Sequence, residues 1–153
     1  MKNPVPFKRH EALKNLSREH HQALLLCWHI KEGLKKTVDP LRIRSYAGFI
    51  WETNLKQHFE IEEKYLFPIL GRNHELIKRA IDEHLKLESL FISEGEILKI
   101  LEHIKEELEA HIRFEERVLF NLIQEKATED QLRFLAVNST GSACIIWDDE
   151  FWK

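Results

Sequence analysis

Apolar residues recur with the period of a one-sided helix along almost the whole chain. Leu13, Leu16, Ala23, Leu24, Cys27, Ile30 and Leu34 form one stripe, and Ile43, Ala47, Ile50, Ile61, Tyr65, Leu66 and Ile69 form a second. A third runs through Ile77, Ala80, Ile81, Leu87 and Phe91, and a fourth through Ile97, Ile100, Ile104, Leu108, Val118, Leu119 and Leu122. With only five glycines and four prolines to interrupt them, the pattern predicts an all-α protein. Ser17 is placed to cap a first helix running to about Lys36, behind a stretch of breakers and polar turns in residues 1–16. Asp39 and Pro40 open a second helix that reaches Leu70, kinks at Pro68 and stops at Gly71. Asn73 is the expected cap of a third helix to about Ile92, and Ser93 with Glu96 has the spacing of a capping box for a fourth over Glu94 to Lys126. Thr128 begins a shorter fifth segment. Short connections between long helices favour an antiparallel up-down-up-down four-helix bundle over about 16–126. A C-terminal helix and aromatic tail over about 127–153 complete a single domain, 1–153.

Ionisable residues break into each stripe. His20 falls on the first, His58 and Glu62 on the second, His84 on the third, and His111 and Glu115 on the fourth. Two of these sites are near copies: HFEIEEKYLF from His58 and HIRFEERVLF from His111. Residues four apart project from one helix face, so each copy offers a nitrogen and an oxygen side by side. A histidine with Glu four residues on occurs at His58, His84, His103 and His111, against about one expected by chance in such a chain. The repetition of the flanking Glu-Glu, basic residue and Leu-Phe points to a doubling. Burying six such groups without partners costs several kcal/mol for each carboxylate, so a core that contains them calls for a cationic occupant. Imidazole with carboxylate suits iron, manganese or zinc, and the lack of a thiolate set argues against structural zinc or an iron–sulfur cluster. Four histidines divide two per metal. Two glutamates bridging a metal pair, with a solvent-derived oxo or hydroxo bridge, leave one position free on each octahedral ion.

Composition narrows the classes further. The 153 residues carry a formal charge of -3, with cations dispersed among acids, which gives no electrostatic basis for binding nucleic acid. MKNPVPFKRH has no apolar core of a leader, and the run Ala23 to Trp28 is too short to cross a bilayer; no membrane role and a cytoplasmic location are expected. Cys27 and Cys144 lack paired-thiol spacing and read as reduced, with Cys27 in the core.

SREHH at Ser17, HFEIEEKYLFP at His58, DEH at Asp82 and HIRFEERVLF at His111 together resemble the hemerythrin-like HHE cation-binding family, over about residues 16–125. A ferritin-like centre would instead need Glu three residues before a histidine, which no histidine here has. The resemblance implies a four-helix bundle around a non-haem di-iron centre held by His20, His58, Glu62, His84, His111 and Glu115. It further implies binding or sensing of dioxygen, or of reactive oxygen or nitrogen species. Oxygen-carrying members have a further histidine where this chain has Glu88, and Asp where it has Glu116. The set of four histidines and two glutamates is similar to the metal domain of iron-centre-repair proteins, whose cysteine-bearing N-terminal region has no counterpart in this sequence.

The expected ligand is therefore a small diatomic or peroxide, bound or sensed. The rival readings are an oxidoreductase-type enzyme or stress factor for peroxide or nitric-oxide removal or iron-centre repair, and a bundle in which metal only staples helices. Glu88 is a candidate extra oxygen ligand or partner of His84, and His21 lies beside the inward stripe. Tyr65 reads as a core aromatic or a hydrogen-bond donor at the centre. His103 with Glu107 reads as a surface pair, and His10, His29 and His74 as structural or solvated. The terminal ACIIWDDEFWK is expected to pack on the bundle, with a homodimer or protein partner as the alternative.

Overall fold

The computed structural model describes residues 8–139, 141 and 146–153. Residues 140 and 142–145, Cys144 among them, and the first seven residues lie outside that set. The described residues form α-helices, with 3-10 and π turns and no strand.

A 3-10 turn (Glu11–Leu13) leads into α1 (Lys14–Lys35). Ser17 therefore lies within α1; the cap is the His10 imidazole, whose Nδ1 accepts from the Ala12 N–H at 3.0 Å. Helix α2 (Pro40–Ile50) starts as the sequence implies, with the Asp39 carboxylate accepting from the Leu41 N–H and proline in the first turn. It continues through a π turn (Trp51–Leu55), α3 (Lys56–Ile61), a second π turn (Glu62–Leu66) and a 3-10 turn at Phe67–Ile69, where Pro68 sits. Gly71 ends this rod at φ 90°, in the left-handed region. Helix α4 (Glu75–Ile92) is capped by His74, one residue past the expected Asn73, with Nδ1 accepting from the Leu76 N–H at 3.1 Å. The Ser93–Glu96 box does not form, because α5 (Ile97–Phe114) begins after Glu96, which makes no side-chain cap. A third π turn (Glu115–Leu119) joins α5 to α6 (Phe120–Lys126), and a true capping box between Thr128 and Gln131 opens α7 (Glu129–Asn138).

Helix α1 lies along α5, α4 packs on α5, and α2 packs on both α1 and α5. Two apolar clusters result. One gathers Ala23, Leu26, Ile30, Ile43, Ile50, Leu87, Phe91, Ile104 and Leu108; the other gathers Leu13, Leu16, Leu66, Phe67, Ile77, Ala80, Phe114 and Phe120. Burying each large apolar side chain contributes about 1.5–3 kcal/mol. In the first rod Leu16 belongs to one cluster and Ala23 to the other; in α4 Ala80 and Leu87 divide in the same way. His20 and His84 fall between these pairs, at the seam.

The π turns alter which residues face inward. Each widens the backbone ring by one residue, as in the Phe120 N–H to Glu115 carbonyl bond, and so rephases the helix beyond it. Val118, expected inside, is exposed, while Phe114, Leu119, Phe120 and Ile123 are buried. In α1, buried Leu26 joins the core and Leu24 and Leu34 are only partly covered.

The tail packs on α1 and α2. Phe151 is buried against this core, Trp152 stacks on His29 with ring centroids 3.7 Å apart, and Trp147 meets Tyr46 and Phe49. Arg42 pairs with Asp149. A Cβ on Gly33 would come within 2.8 Å of both Ile43 and Phe151, so only hydrogen allows this closeness.

Candidate metal centre

The six ionisable side chains that interrupt the stripes meet at the seam, each no more than 2% exposed. His58 and Glu62 sit one turn apart at the junction of α3 and its π turn; His111 and Glu115 do the same at the end of α5. Each glutamate is the first residue of a π turn, a helix irregularity common at functional sites. His20 of α1 and His84 of α4 supply the remaining nitrogens.

Ligand-capable atoms of His20, His58, Glu62 and Glu115 all lie within 4.8 Å of one another, and so do those of Glu62, His84, His111 and Glu115. We refer to these as the first and second clusters. Both glutamates belong to both. Glu62 turns Oε2 toward His58 Nε2 (3.2 Å) and His20 Nε2 (3.4 Å), and Oε1 toward His84 Nε2 (3.1 Å). Glu115 places Oε1 3.0 Å from His20 Nε2 and 3.1 Å from His111 Nε2, with Oε2 3.8 Å from His84 Nε2.

The outward nitrogens follow one rule. Each Nδ1 meets a second carboxylate: His20 meets Glu116 at 2.8 Å, His58 meets Glu19 at 3.0 Å, His84 meets Glu63 at 2.8 Å and His111 meets Glu83 at 2.8 Å. An ionised carboxylate only accepts, so every Nδ1 carries hydrogen and donates it. In the neutral ring the inward Nε2 then keeps its lone pair, the tautomer a metal requires. Among these four the sequence marks only Glu116, as the residue standing where oxygen-carrying members have Asp, and it assigns none of them a place at the centre. The available signal was the Glu beside each ligand: Glu19 and Glu83 precede His20 and His84, and Glu63 and Glu116 follow Glu62 and Glu115.

The repeat also explains its Leu-Phe. Phe67 of the first copy lies on His84 at 5.5 Å between centroids, and Phe120 of the second lies on His20 at 4.8 Å. Phe59 also stacks on His84, with ring centroids 3.9 Å apart and nearly parallel planes. Each copy of the repeat thus sends one outer carboxylate and its Leu-Phe ring to a histidine of the other half: Glu63 and Phe67 to His84, Glu116 and Phe120 to His20.

Electrostatics carry the same message. Burial works against protonating His58, but the Glu62 charge and the hydrogen bond to Glu19 prevail and lift it to about 9. His111 is lifted to about 10 against the same burial, by Glu115 and then Glu83. His20 and His84 are also raised, by Glu115 with Glu116 and by Glu62 with Glu63 respectively, each against burial. Glu62 is held well below the ordinary carboxylate range although burial opposes it, first by the His58 charge. Glu116 is likewise held at about 2, its burial outweighed first by His20 and then by Ser17 and the Arg9 charge. Without a cation, protons occupy the inner nitrogens.

The residues fit a bound metal. The Nε2 atoms of His58, His84 and His111, both Glu62 oxygens and Glu115 Oε2 are buried without a hydrogen-bond partner, a cost that coordination would remove. The donors are imidazole nitrogen and carboxylate oxygen, suited to iron, manganese or zinc.

Other residues fall elsewhere. Glu88 and His21 are exposed and take no part in the centre. Tyr65 is partly buried and packs edge-on against Phe134. His103 is exposed. His29 is buried at the tail, its Nδ1 2.8 Å from the Tyr46 hydroxyl.

Fold and site together define a helical-bundle protein whose buried histidines and glutamates are grouped as metal ligands would be. The chain belongs to the hemerythrin HHE cation-binding domain family, whose model matches residues 10–93. That span contains His20, His58, Glu62 and His84 and stops before His111 and Glu115. No curated protein and no solved structure matches the chain. No helix among the described residues is long and apolar enough to cross a membrane.

Proposed function

We propose that the chain is a cytoplasmic di-iron protein that binds or senses dioxygen or a reactive oxygen or nitrogen species, built on an antiparallel up-down-up-down four-helix bundle. His20 and His58 would hold one ion, His84 and His111 the other, with Glu62 and Glu115 bridging. The observation that carries this reading is that the same two buried carboxylates complete both four-residue clusters. Nitrogen and oxygen donors without thiolate favour iron among redox-active ions. Bound iron supplies electron exchange and an open coordination position for a small diatomic or peroxide ligand.

The chain's own residues do the rest. Glu19, Glu63, Glu83 and Glu116 keep each imidazole in one tautomer and one orientation. Phe59, Phe67 and Phe120 wall the histidines with apolar rings and limit water.

Metal analysis of protein reconstituted with ferrous iron tests the reading, with two irons per chain expected. The aerobic product should be coloured and its absorption should shift on adding azide. Well under two irons per chain would overturn the proposal. A stable two-iron protein whose spectrum ignores both azide and nitric oxide would favour the metal-stapled bundle.

A further inference from the structure

Two of the four outer carboxylates are themselves held by an arginine, and the two arginines come from very different places. Arg79 is within α4, one turn before Glu83; its Nε lies 3.0 Å from Glu83 Oε2 while Glu83 Oε1 takes the His111 Nδ1 hydrogen. Arg9 lies ahead of the first helical turn, 107 residues from Glu116 in sequence, and its Nη2 is 2.8 Å from Glu116 Oε2 while Glu116 Oε1 takes the His20 Nδ1 hydrogen. Both carboxylates span an arginine and a histidine with their two oxygens.

Arg9 is fixed on several sides. Its Nη2 also donates to the Glu116 carbonyl at 2.9 Å, and its Nη1 donates to Asn121 at 3.2 Å and Gln124 at 3.3 Å. The guanidinium stands 5.5 Å from the centroid of Phe120, the ring that lies on His20. Arg9 therefore touches both side chains that touch His20 from outside the centre. Gln124 binds the same segment at the Lys8 carbonyl (2.8 Å) and the His10 N–H (3.2 Å).

We infer that Arg9 is a positioning residue which, through Glu116 and Phe120, fixes His20 and ties the metal affinity of the first cluster to docking of the segment before α1. The inference rests on the two-ion reading above. A long glutamate loses substantial rotamer freedom when it must hold an imidazole, and a planar guanidinium on four acceptors removes that freedom beforehand. The positive charge of Arg9 opposes a metal cation only weakly, because the pair is partly open to solvent, which screens it. Orientation outweighs that repulsion. Arg79 performs the same task for the second cluster from the solvent-facing side of α4, one turn from Glu83, so the two clusters differ in what they require of the rest of the chain.

The test is anaerobic titration of the full chain with ferrous iron against a chelator, comparing wild type with Arg9→Met, Arg79→Met, the double variant and Arg9→Lys. Each single methionine variant should weaken one of the two binding constants about tenfold, the low end for losing an outer support. The double variant should weaken both about tenfold, and Arg9→Lys, with its single ammonium, should fall between wild type and Arg9→Met. By reciprocity, iron should slow amide exchange at Ala12 and Leu13 in wild type, and much less in Arg9→Met. Two wild-type ions with Arg9→Met unchanged would overturn the inference alone. So would an equal fall in both constants, or a double variant in which one constant drops about a hundredfold and the other holds. Fewer than two wild-type ions would overturn the two-ion reading together with the inference.

Discussion

His29 and His58 are both buried imidazoles, yet the structure drives them to opposite states. Burial alone pushes His29 down to about 4, so it stays neutral between Tyr46 and Trp152. His58 is more deeply enclosed and is nevertheless lifted to about 9, because carboxylates face both of its nitrogens. The tail end of the bundle is an apolar enclosure that tolerates a neutral histidine; the centre is an enclosure of opposed charges that demands a cation. Depth of burial does not tell a ligand from a packed ring. What faces the second nitrogen does.

The strongest way to break this contrast is to remove a shared oxygen pair. Glu62→Ala should lower the affinity for both ions by more than about a hundredfold, exceeding any outer-carboxylate change, as read by metal content after dialysis. The matching cut at the other end, Trp152→Ala, should leave metal content at the wild-type value.

A pH series sharpens the comparison, because the two regions respond with opposite sign. In the metal-free protein His58 and His111 bind protons more tightly folded than unfolded. Their contribution is complete below about 6.5 and is lost as pH rises through about 9 to 10. His29 binds its proton less tightly when folded, so its contribution is complete above about 6.5 and is lost as pH falls toward about 4. Each histidine should be worth on the order of 3–5 kcal/mol, read from melting temperatures of the metal-free chain. Because all four central histidines are raised, loading two divalent ions near neutral pH should release about four protons, one per histidine. A pH-stat measures that number, and release near zero would contradict the exchange of protons for metal.

The smallest effect is expected from Gly33→Ala. The added methyl would press on Ile43 and Phe151 and should cost about 1–3 kcal/mol of stability. Thermal melts would show the loss, while metal affinity stays unchanged.

Much of this was legible before any coordinates. Periodicity identified the helices because a one-sided core imposes its period on the sequence, and the six ionisable interruptions were conspicuous because each violates that pattern. The outer carboxylates were not, since Glu19, Glu63, Glu83 and Glu116 look like ordinary solvated charges until another helix brings a histidine to them. The π turns leave no mark in local propensity, so plain helical periodicity points Val118 inward although it is exposed and passes over Phe120 although it is buried. Caps from His10 and His74 are not legible in the sequence because histidine rarely plays the part usually taken by Ser, Asp or Asn.

The crosswise exchange between halves bears on how such a chain could have arisen. Residues around His20 to Phe67 own two imidazoles and one glutamate shared by both clusters, but the carboxylate and phenyl ring that steady His20 belong to the stretch after His111. A half-length ancestor could have finished its site only by clasping a second copy of itself, and fusion of the two genes would then have made that embrace permanent.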